Sequence, residues 1–563
     1  MSLVLQPFRA IVARILFQRA HGRYRRGDYA EAAEIYEKIL EISPRHIRGR
    51  CALARSRMNL GELDAAESVL LAASGAGVAH HRIDYLLAAV LNAKGEYIRA
   101  LPLAERAHSA VPEKERYATL ARRLGGDLKV FVSGWRPTLE RVEDYRPVPR
   151  KIMHVLEMSL PHKEAGYTFR SQYILSGQQN AGFVPFASTR AGFPADAKIE
   201  HYDEIETVAG VPYHRIELDG PRYHYSMDAY LAAYAGGVRS LAIRERPEIL
   251  HAASNFKNGL VAQSVAESLG IPWVYEMRGM WEDTGVANRS FTEESDRYRL
   301  HRKMESHCLR NADAIVTLSG TMRDEICSRG VDPDAIFVVP NGVNADNFPV
   351  MQRNETLARE LGIDSSPVVG YVGSFSYYEG LDLLIRAHEK VLRRCPAARL
   401  LLVGDGHESK ALAAIVEQLG LGGSVLLTGR IDHGKVLDYY SLIDVFVVPR
   451  RASRVTRIVT PIKPYEAMAT GRTVLVSDVE ALKEMIVEGE TGTTFTAGDE
   501  DALASACVEL IDNRERRGKM GAEGARWVRQ HRNWQTLVER YEQVYETAKR
   551  RQLSSPTRRA SSR

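Results

Sequence analysis

The sequence is poor in cysteine and contains no long apolar run. Its five cysteines are scattered over 563 residues, with no C-x-x-C pair and no histidine at zinc-ligand spacing. We therefore expect neither a disulfide framework nor a structural zinc site, and a reducing cytoplasmic location fits best. No stretch approaches the roughly 18 uninterrupted apolar residues of a transmembrane helix.

A strong charge of either sign is also missing. Lys and Arg total 76 against 71 for Asp and Glu, a net charge of +5 that does not indicate nucleic-acid binding. A G-x-G-x-x-G fingerprint is absent too, since Gly404-x-Gly406 has no third glycine, which disfavours a dinucleotide oxidoreductase. The hydrophobic content of 45% is that of an ordinary globular chain, whose length predicts three to four domains.

The first 20 residues have the pattern of an amphipathic helix. An apolar stripe is interrupted by Arg9 and Arg14, and no cleavage site of small residues follows, so a signal peptide is not expected. Two interpretations remain open: a helix that packs on the next domain, or one that lies on a membrane surface. At helical period the stripe consists of Leu5, Phe8, Val12, Ile15 and Leu16.

Residues 21–130 contain an internal repeat. The segments that begin at Gly27, Gly61 and Gly95 are spaced 34 residues apart (61 − 27 and 95 − 61), with alanine five positions after each glycine. This pattern resembles the tetratricopeptide repeat, a helix-turn-helix unit of the same period. The resemblance implies an all-α array whose concave face binds a protein partner; the alternative is an array that only braces the following domains. A linker is expected over residues 131–150.

From Lys151 onwards, short apolar runs alternate with helical stretches. Two sets of about six such runs predict two Rossmann-like domains with parallel sheets, residues 151–345 and 346–530. Ligands of such sheets bind at the carboxyl ends of the strands, so the site is expected in the cleft between facing domains. A helix over 531–548 and a basic, disordered tail over 549–563 complete the predicted order.

Two helix starts are candidate phosphate sites. After the first strand, Ala165-Gly166-Tyr167 is predicted to form a tight turn into a helix that starts around Thr168, and a glycine beside a helix start exposes backbone N–H groups to an anion. In the second domain, PIKPYEAMATGRTVLVSD predicts a helix that begins near Pro464, with Lys463 just before its N-terminus and Glu466 in its first turn. We interpret Glu466 as a ribose ligand and Lys463 as a diphosphate ligand; the alternative for Glu466 is simple complementation of the helix dipole.

These segments together resemble retaining glycosyltransferases of family 4, which have the two-domain GT-B fold. The motifs occur in the family's order: AGYTFR, RPEILHA, GIPWVYEMRGMWED, NADAIVTLSG, VVPNGV, VGSFSYYEGLDLLIRA, LLVGDG and KPYEAMATGRTVLVSD. The resemblance implies transfer of a sugar from a nucleotide-diphosphate donor to an acceptor hydroxyl, with no cofactor and no metal. Asp332-Pro333-Asp334 is interpreted as a turn, not as a metal motif. The GYTFR, EMRGMWED and YYEGLDLL variants resemble the branch associated with bacterial exopolysaccharide and exosortase gene clusters.

The sequence departs from the family at three cationic or acidic positions. Glu379 replaces a lysine, Ser374 replaces an arginine, and Ile458 replaces the first of two glutamates. A basic run offers compensation, because fixed cations can neutralise a departing diphosphate. The alternative is a solvated basic loop. The run contains Arg450, Arg451, Arg454, Arg457 and Lys463.

The resemblance also assigns the remaining site residues. Arg278 stands where the family has its active-site histidine, and because arginine cannot act as a base, Glu276 is the candidate for contact with the acceptor hydroxyl. The alternative is a buried structural pair, Glu276–Arg278 or Glu282–Arg278. Catalytic roles are predicted for Glu276, Arg278 and Lys463; donor contacts for Gly166, Gly373, Ser374, Phe375, Arg430, Ile431, Arg450, Arg454, Arg457, Lys463 and Glu466; and acceptor contacts for Tyr167, Arg170, Trp281 and Glu282.

The sequence therefore predicts a glycosyltransferase that acts on a saccharide or lipid-linked acceptor in bacterial surface polysaccharide synthesis. Its expected location is the cytoplasm, with peripheral contact at the inner membrane as an alternative suggested by the N-terminal segment. A rival from another class is a repeat-based scaffold whose glycosyltransferase domain is inactive. A nucleotide-sugar epimerase of the same fold is the second enzymatic rival.

Overall fold

The computed structural model describes residues 6–554, without the side chains of residues 6–8, 74 and 433. The chain folds into two compact units. The first contains the residues up to Arg136 with Gly220–Ala232 and Ser290–Lys303; the second contains Pro137–Asp219, Ala233–Arg289 and the chain from Met304 onwards. Leu5, the side chain of Phe8 and residues 555–563 of the predicted tail lie outside the described part.

The first unit is an array of antiparallel helices, as the 34-residue period predicts. Gly27, Gly61 and Gly95 each join two helices with φ between +79° and +88°, a left-handed conformation that glycine adopts without strain. Ala32, Ala66 and Ala100 are completely buried, which lets paired helices approach closely. The helices are α1 Gln6–Arg26, α2 Tyr29–Ile42, α3 Ile47–Asn59, α4 Leu63–Gly75, α5 His81–Lys94, α6 Tyr97–Ala110 and α7 Glu115–Phe131.

Helix α1 packs through a different face from the predicted one. It extends to Arg26, beyond the predicted end at residue 20, and contacts the array through its small and aromatic residues. Ile15, which we expected on the packing stripe, lies on the exposed side. The reason is that Ala13 and Ala20 allow close helix contact, whereas the larger Ile15 does not. The packing residues are Ala13, Leu16, Phe17, Ala20 and Tyr24.

Two later segments of the chain belong to the first unit as well. The backbone N–H of Ile98 donates to Asp296, 2.9 Å away, and Lys129 forms an ion pair of 2.7 Å with Asp228. Gly95 is pressed against Arg297, whose Cβ would lie 2.7 Å from a side-chain carbon at that position. The repeat region is therefore completed by chain that follows the first Rossmann-like strands, which the sequence does not indicate.

The second unit begins with an eight-stranded sheet of order β3-β4-β2-β1-β5-β6-β7-β8, in which only the edge strand β3 is antiparallel. All six predicted strands occur; the hairpin β3–β4 was not predicted, because β3 is a short polar edge strand. The strands are β1 Lys151–Leu156, β2 Val184–Thr189, β3 Ile205–Val208, β4 Val211–His214, β5 Ile249–Ala253, β6 Trp273–Glu276, β7 Ala314–Thr317 and β8 Ile336–Val338. The helices are α8 Gly166–Asn180, α9 Met227–Glu245, α10 Phe256–Leu269, α11 Trp281–Ala287, α12 Asp296–Asn311 and α13 Gly320–Ser328.

A six-stranded, wholly parallel sheet of order β11-β10-β9-β12-β13-β14 follows. Both sheets change direction of strand order once, between β1 and β5 and between β9 and β12, and such switch points are where open α/β sheets bind ligands. The strands are β9 Val368–Val372, β10 Arg399–Val403, β11 Val425–Leu427, β12 Val445–Val448, β13 Thr473–Ser477 and β14 Thr493–Phe495. The helices are α14 Glu355–Glu360, α15 Leu381–Arg394, α16 Ser409–Gln418, α17 Val436–Leu442, α18 Arg454–Ile458, α19 Lys463–Ala469, α20 Glu480–Lys483, α21 Glu500–Asp512 and α22 Arg514–His531.

The chain returns from the second sheet to the first through two helices, α23 Trp534–Val538 and α24 Arg540–Ser554. Tyr541, Val544 and Tyr545 of α24 are buried in the core of the first sheet, with Ile152 and Val274. The segment predicted as one return helix over 531–548 is broken near Glu539 and extends to Ser554, so that residues 549–554 of the predicted tail are helical. No helix within the described residues combines the length and the apolar character needed to span a membrane.

Candidate active site

The carboxyl ends of the two sheets face each other within the second unit. Gly166, the first residue of α8, lies opposite Ile462, so that a Cβ at Gly166 would be 3.3 Å from Ile462 Cδ1. Asn341, at the junction of the two domains, donates to the carbonyl of Thr460 at 2.9 Å. These contacts bring the predicted helix starts at Gly166 and Lys463 together, as the motif positions suggested.

Helix α8 begins in a form suited to an anion. Ala165 is extended, and its N–H donates to Thr168 Oγ1 at 3.0 Å, which fixes the first turn. The helical ladder does not use the N–H groups of Gly166 and Tyr167. Gly166 is exposed, and its lack of a side chain leaves these groups open towards the second domain.

The loop after β9 is shaped by backbone packing. Gly373 donates to Val403 O at 2.9 Å and Phe375 donates to Asp405 O at 3.0 Å. A Cβ at Gly404 would lie only 1.8 Å from Gly373 O. The glycines of Gly404-x-Gly406 therefore allow the loop after β10 to pack against the loop after β9. Ser374 is exposed, whereas the ring of Phe375 is buried in the core. Our prediction that Phe375 lines the donor side therefore fails for its ring and concerns its backbone only.

Arg450 is not available to a diphosphate, contrary to the prediction. It is buried after β12, and its Nε and Nη2 donate to Glu379 at 3.1 and 2.7 Å. Its Nη1 donates to the carbonyl of Val459 at 2.8 Å. Burial opposes the charge, but Glu379 outweighs it and raises the pKa of Arg450. The glutamate that replaces the family's lysine is thus one half of a buried ion pair at the switch point of the second sheet.

The other basic residues of the run also have acidic partners. Arg451 is paired with Asp382, and Arg457 lies 3.9 Å from Glu480. Lys463, on α19, forms an ion pair of 2.9 Å with Glu466. The run is therefore not a free cationic loop: folding supplies Asp382 and Glu480 to its arginines from distant parts of the chain, and Lys463 pairs with its near neighbour Glu466.

Arg454 binds the first domain instead of a donor. Its Nε lies 3.2 Å from the carboxylate of Asp283, and its Nη2 lies 2.6 Å from Glu325 Oε2. Nearby, the Glu484 carboxylate accepts hydrogen bonds of 2.8 Å from the N–H groups of Gly320 and Thr321 at the start of α13. These contacts form a clasp between the domains, which the sequence analysis missed because the partners are more than a hundred residues apart.

Lys463 and Glu466 form a hydrogen-bonded group with Tyr440, and their ligand roles stay predictions. Lys463 Nζ and the hydroxyl of Tyr440 both donate to Glu466 Oε2, each at 2.9 Å. The ammonium of Lys463 remains partly exposed. Arg430 is 76% exposed, with Glu164 at 4.0 Å, and Ile431 packs against the core beside it. Their assignment to the nucleobase stays a prediction.

Glu276, at the end of β6, is the centre of a completely buried network. Its Oε1 accepts from Arg170 Nε at 2.8 Å and from Arg278 Nε at 3.0 Å, and His251 Nε2 lies 3.0 Å from its Oε2. Tyr541 of α24 donates to Oε2 at 3.3 Å. Burial opposes its charge, but Arg278 and Arg170 together lower the pKa of Glu276 well below its usual value.

This network and a second buried pair correct three predicted contacts with substrate. Glu276 forms the buried pair with Arg278 that we considered as the alternative to acceptor contact. Arg170 is buried, and its guanidinium donates hydrogen bonds to Glu276, Asn341 and two backbone carbonyls. Glu282 is buried against Arg329, with 2.9 Å between Oε1 and Nη2. Glu276, Arg170 and Glu282 can be buried because each has an oppositely charged partner within the same domain.

Arg278 is nearly buried as well. Its Nη1 donates to Ser171 Oγ at 2.6 Å and to the carbonyl of Tyr167 at 3.2 Å. It thereby holds the first turn of α8 against the end of β6, so its position at the active-site histidine of the family corresponds to a positioning contact. Trp281 is 46% exposed, which leaves its predicted stacking on an acceptor open. Tyr167 has a buried hydroxyl, and burial raises its pKa to about 12.

Sequence reasoning did not single out His154, and it did not join His251 to this network. His154 and His251 are register neighbours on β1 and β5, and their rings stack at 4.5 Å. Burial lowers the pKa of both. The signal was present, since KIMHVL and EILHA each place one histidine within an apolar strand. The hydrogen bond from Tyr545 of α24 to His251, 2.9 Å long, had no local signal.

The described part of the chain contains no cluster of side chains that could hold a metal ion. Among residues 6–554, three or more His, Cys, Asp or Glu side chains nowhere come together as a metal site. Asp332, Pro333 and Asp334 form the expected turn, in which Asp332 Oδ1 accepts from Asp334 N at 3.0 Å.

Three family models match the chain. Residues 165–342 match a glycosyl transferase 4-like domain, residues 353–527 match the glycosyl transferases group 1 domain, and residues 23–90 match a tetratricopeptide repeat. The first match covers the first sheet except β1, the second covers the whole second sheet, and the third lies within the helical array.

Curated relatives and solved structures agree with these matches. A GDP-mannose-dependent alpha-(1-6)-phosphatidylinositol monomannoside mannosyltransferase of Mycolicibacterium smegmatis is 28% identical over 40% of this chain and 60% of that protein. A D-inositol 3-phosphate glycosyltransferase of Corynebacterium diphtheriae is 26% identical over 63% and 84%. The chain thus spans less than two thirds of the first of these relatives.

The structural neighbours show the same fold. Sucrose-phosphate synthase from Thermosynechococcus elongatus superposes with a TM-score of 0.58 at 21% identity, over 70% of this chain and 98% of that one. Anabaena HepE in complex with UDP and glucose gives 0.56 at 17%, over 70% and 99%. With two facing Rossmann-like domains, both domain models and these neighbours in place, the chain belongs to the glycosyltransferases of GT-B fold that join a 4-like domain to a group 1 domain, here preceded by tetratricopeptide repeats.

Proposed function

We propose that the chain transfers a sugar, with retention at the anomeric carbon and without a metal, from a nucleotide-diphosphate donor to a saccharide or lipid-linked acceptor. The observation that carries the proposal is the approach of Gly166 to Ile462, which puts the start of α8 opposite Lys463 and Glu466. Backbone N–H groups and an ammonium then face the same space, as a diphosphate requires.

The free oxygen of Glu466 and the ammonium of Lys463 support the ligand roles in this proposal. Both hydrogen bonds to Glu466 use Oε2, so Oε1 is the oxygen that accepts a ribose hydroxyl. Lys463 turns its ammonium from Glu466 towards the phosphates. In the step itself, the bond between the anomeric carbon and the diphosphate oxygen breaks, and the acceptor oxygen bonds to the same face of that carbon. The acceptor proton passes to a departing phosphate oxygen, so that no protein base is needed.

The biological setting is the assembly of a bacterial surface polysaccharide. The mycolicibacterial relative is named for a lipid-linked acceptor, and the repeats offer a surface for a protein partner. The four arginines of the basic run contribute less than we expected, because each has a carboxylate partner outside the run, whereas Lys463 is partly exposed beside Glu466. Neutralisation of the diphosphate therefore depends on Lys463 and on the start of α8.

The test is calorimetry of the full chain with UDP, GDP, ADP, TDP and CMP in the presence of EDTA. One nucleoside diphosphate should bind, and Lys463→Ala should weaken it by about 1.5–3 kcal/mol, the contribution of a hydrogen bond to a charged group. Lys519→Ala, which removes an exposed ammonium on α22, is the matched control. Binding that requires a divalent metal would contradict the proposal, as would unchanged affinity in a folded Lys463→Ala variant.

A second function is favoured by one observation, the buried Arg450–Glu379 pair. It replaces a cation of the family site with a neutral pair, as expected of a scaffold that has lost turnover. In that case no nucleoside diphosphate binds in the same experiment, while the repeats retain their protein partner.

A further inference from the structure

Helix α1 presents an exposed face that combines isoleucines with arginines. Positions 11, 15, 18 and 22 recur at helical spacing on the side opposite Ala13 and Ala20. Ile11 is 58% exposed and Ile15 is 64% exposed, among the most exposed large apolar residues of the described chain. Among the residues that the structure describes, none covers these two side chains.

Arginines flank this isoleucine face on both sides. At 3.6 residues per turn, Arg14 and Arg25 lie along one edge, and Arg19 and Arg26 lie along the other. Helix α1 contains six arginines and no acidic residue. Within the described residues, Arg14, Arg19 and Arg25 take part in no ion pair, and all are exposed. Arg26 lies 3.8 Å from the carboxylate of Asp28, so three of the four edge charges are left without a carboxylate partner in the described chain.

We propose that this face of α1 docks on an anionic phospholipid bilayer. Its isoleucines enter the headgroup region while the arginines on both edges contact lipid phosphates, the arrangement of an interfacial helix. A bilayer fits better than an acidic protein, because the isoleucines stand on a convex helix surface and the cations follow both edges, as a continuous anionic plane requires. The inference does not depend on the chemistry proposed for the active site.

The experiment is sedimentation of the full chain with vesicles of phosphatidylcholine, with and without about one third phosphatidylglycerol. Binding is expected only to the anionic vesicles and should weaken as salt is added. Arg14→Gln with Arg19→Gln should lower the partition coefficient by about 30-fold. Ile11→Ser with Ile15→Ser should lower it by about tenfold.

Two double variants provide matched controls. Lys519→Gln with Arg526→Gln makes the same change of charge on exposed residues of α22. Ile98→Ser with Ile205→Ser removes two isoleucines of similar exposure, 53% and 48%, elsewhere in the chain. Both should bind anionic vesicles as the unchanged protein does. Circular dichroism and the thermal midpoint show whether the α1 variants remain folded.

Three results would overturn the proposal. The first is no binding to anionic vesicles at low salt, which would leave an acidic protein surface as the partner of α1. The second is binding that folded α1 variants leave unchanged. The third is an equal loss of binding in the control variants, which would assign the attraction to the overall charge of the chain.

Discussion

Replacing Glu276 by glutamine should strongly destabilise the first Rossmann-like domain. The carboxylate is completely buried and lies 2.8 Å from Arg170 Nε and 3.0 Å from Arg278 Nε. Glutamine keeps the volume but removes the negative charge that the two guanidiniums need. Loss of one partner from a buried ion pair costs about 3–5 kcal/mol. At about 2–4 °C per kcal/mol for a domain of this size, the midpoint should fall by roughly 6–20 °C.

The assay is thermal unfolding of both the variant and a matched control. Glu204→Gln makes the same chemical change at an exposed site of the same domain and should alter stability by less than about 0.5 kcal/mol. A midpoint for Glu276→Gln within about 2 °C of the unchanged protein would refute the reasoning. If that stable variant also lost turnover, Glu276 would contact the acceptor after all, through a conformation that exposes it.

Three further predictions concern the second domain and its clasp. Arg454→Ala should destabilise the two-domain unit by about 1.5–3 kcal/mol, because it removes a charged donor from the buried Asp283. The control is Arg457→Ala at an exposed position, which should cost less than about 1 kcal/mol. Differential scanning calorimetry compares the two variants. Burial lowers the pKa of His388 to about 4, so the unfolded chain binds a proton below pH 6.5 that the folded chain refuses. The contribution of His388 to the free energy of unfolding is therefore fully present above that pH and about 2 kcal/mol smaller at pH 5. Denaturant unfolding at both pH values should show that this loss vanishes in His388→Leu. The same pH dependence of stability in the variant would contradict the prediction. Gly404→Ala should destabilise by about 3 kcal/mol, since its Cβ would overlap a carbonyl of the facing loop at a positive φ; an unaltered thermal midpoint would disprove this packing role.

The strand order and the repeats could be predicted well because both are written in local patterns. Twelve apolar runs predicted twelve of the fourteen strands, and the three glycines at a 34-residue period predicted the helix pairs. The hairpin β3–β4 was not predicted, because Ile205–Val208 has no continuous apolar run and lies at the edge of the sheet. Helix α1 was predicted, but its packing face was not, since large and small apolar residues are not distinguished by period alone.

The candidate site could be predicted only where a motif acts through its own backbone or its near neighbours. Gly166, Lys463 and Glu466 lie where the motifs put them, because each depends on the first turn of one helix. Arg450 and Arg454 were interpreted wrongly, because the sequence does not show that Glu379 and Asp283 neutralise them.

The sequence by itself thus determined the alternation of strands and helices, the repeat period and the glycosyltransferase motifs, all of which are properties of neighbouring residues. The tertiary structure decided which charges are available to a substrate. Glu276 is joined to Arg170 across 106 residues and to Tyr541 across 265. The free energy of a charge depends on its burial and on its partners in space, and for these side chains folding alone fixes both.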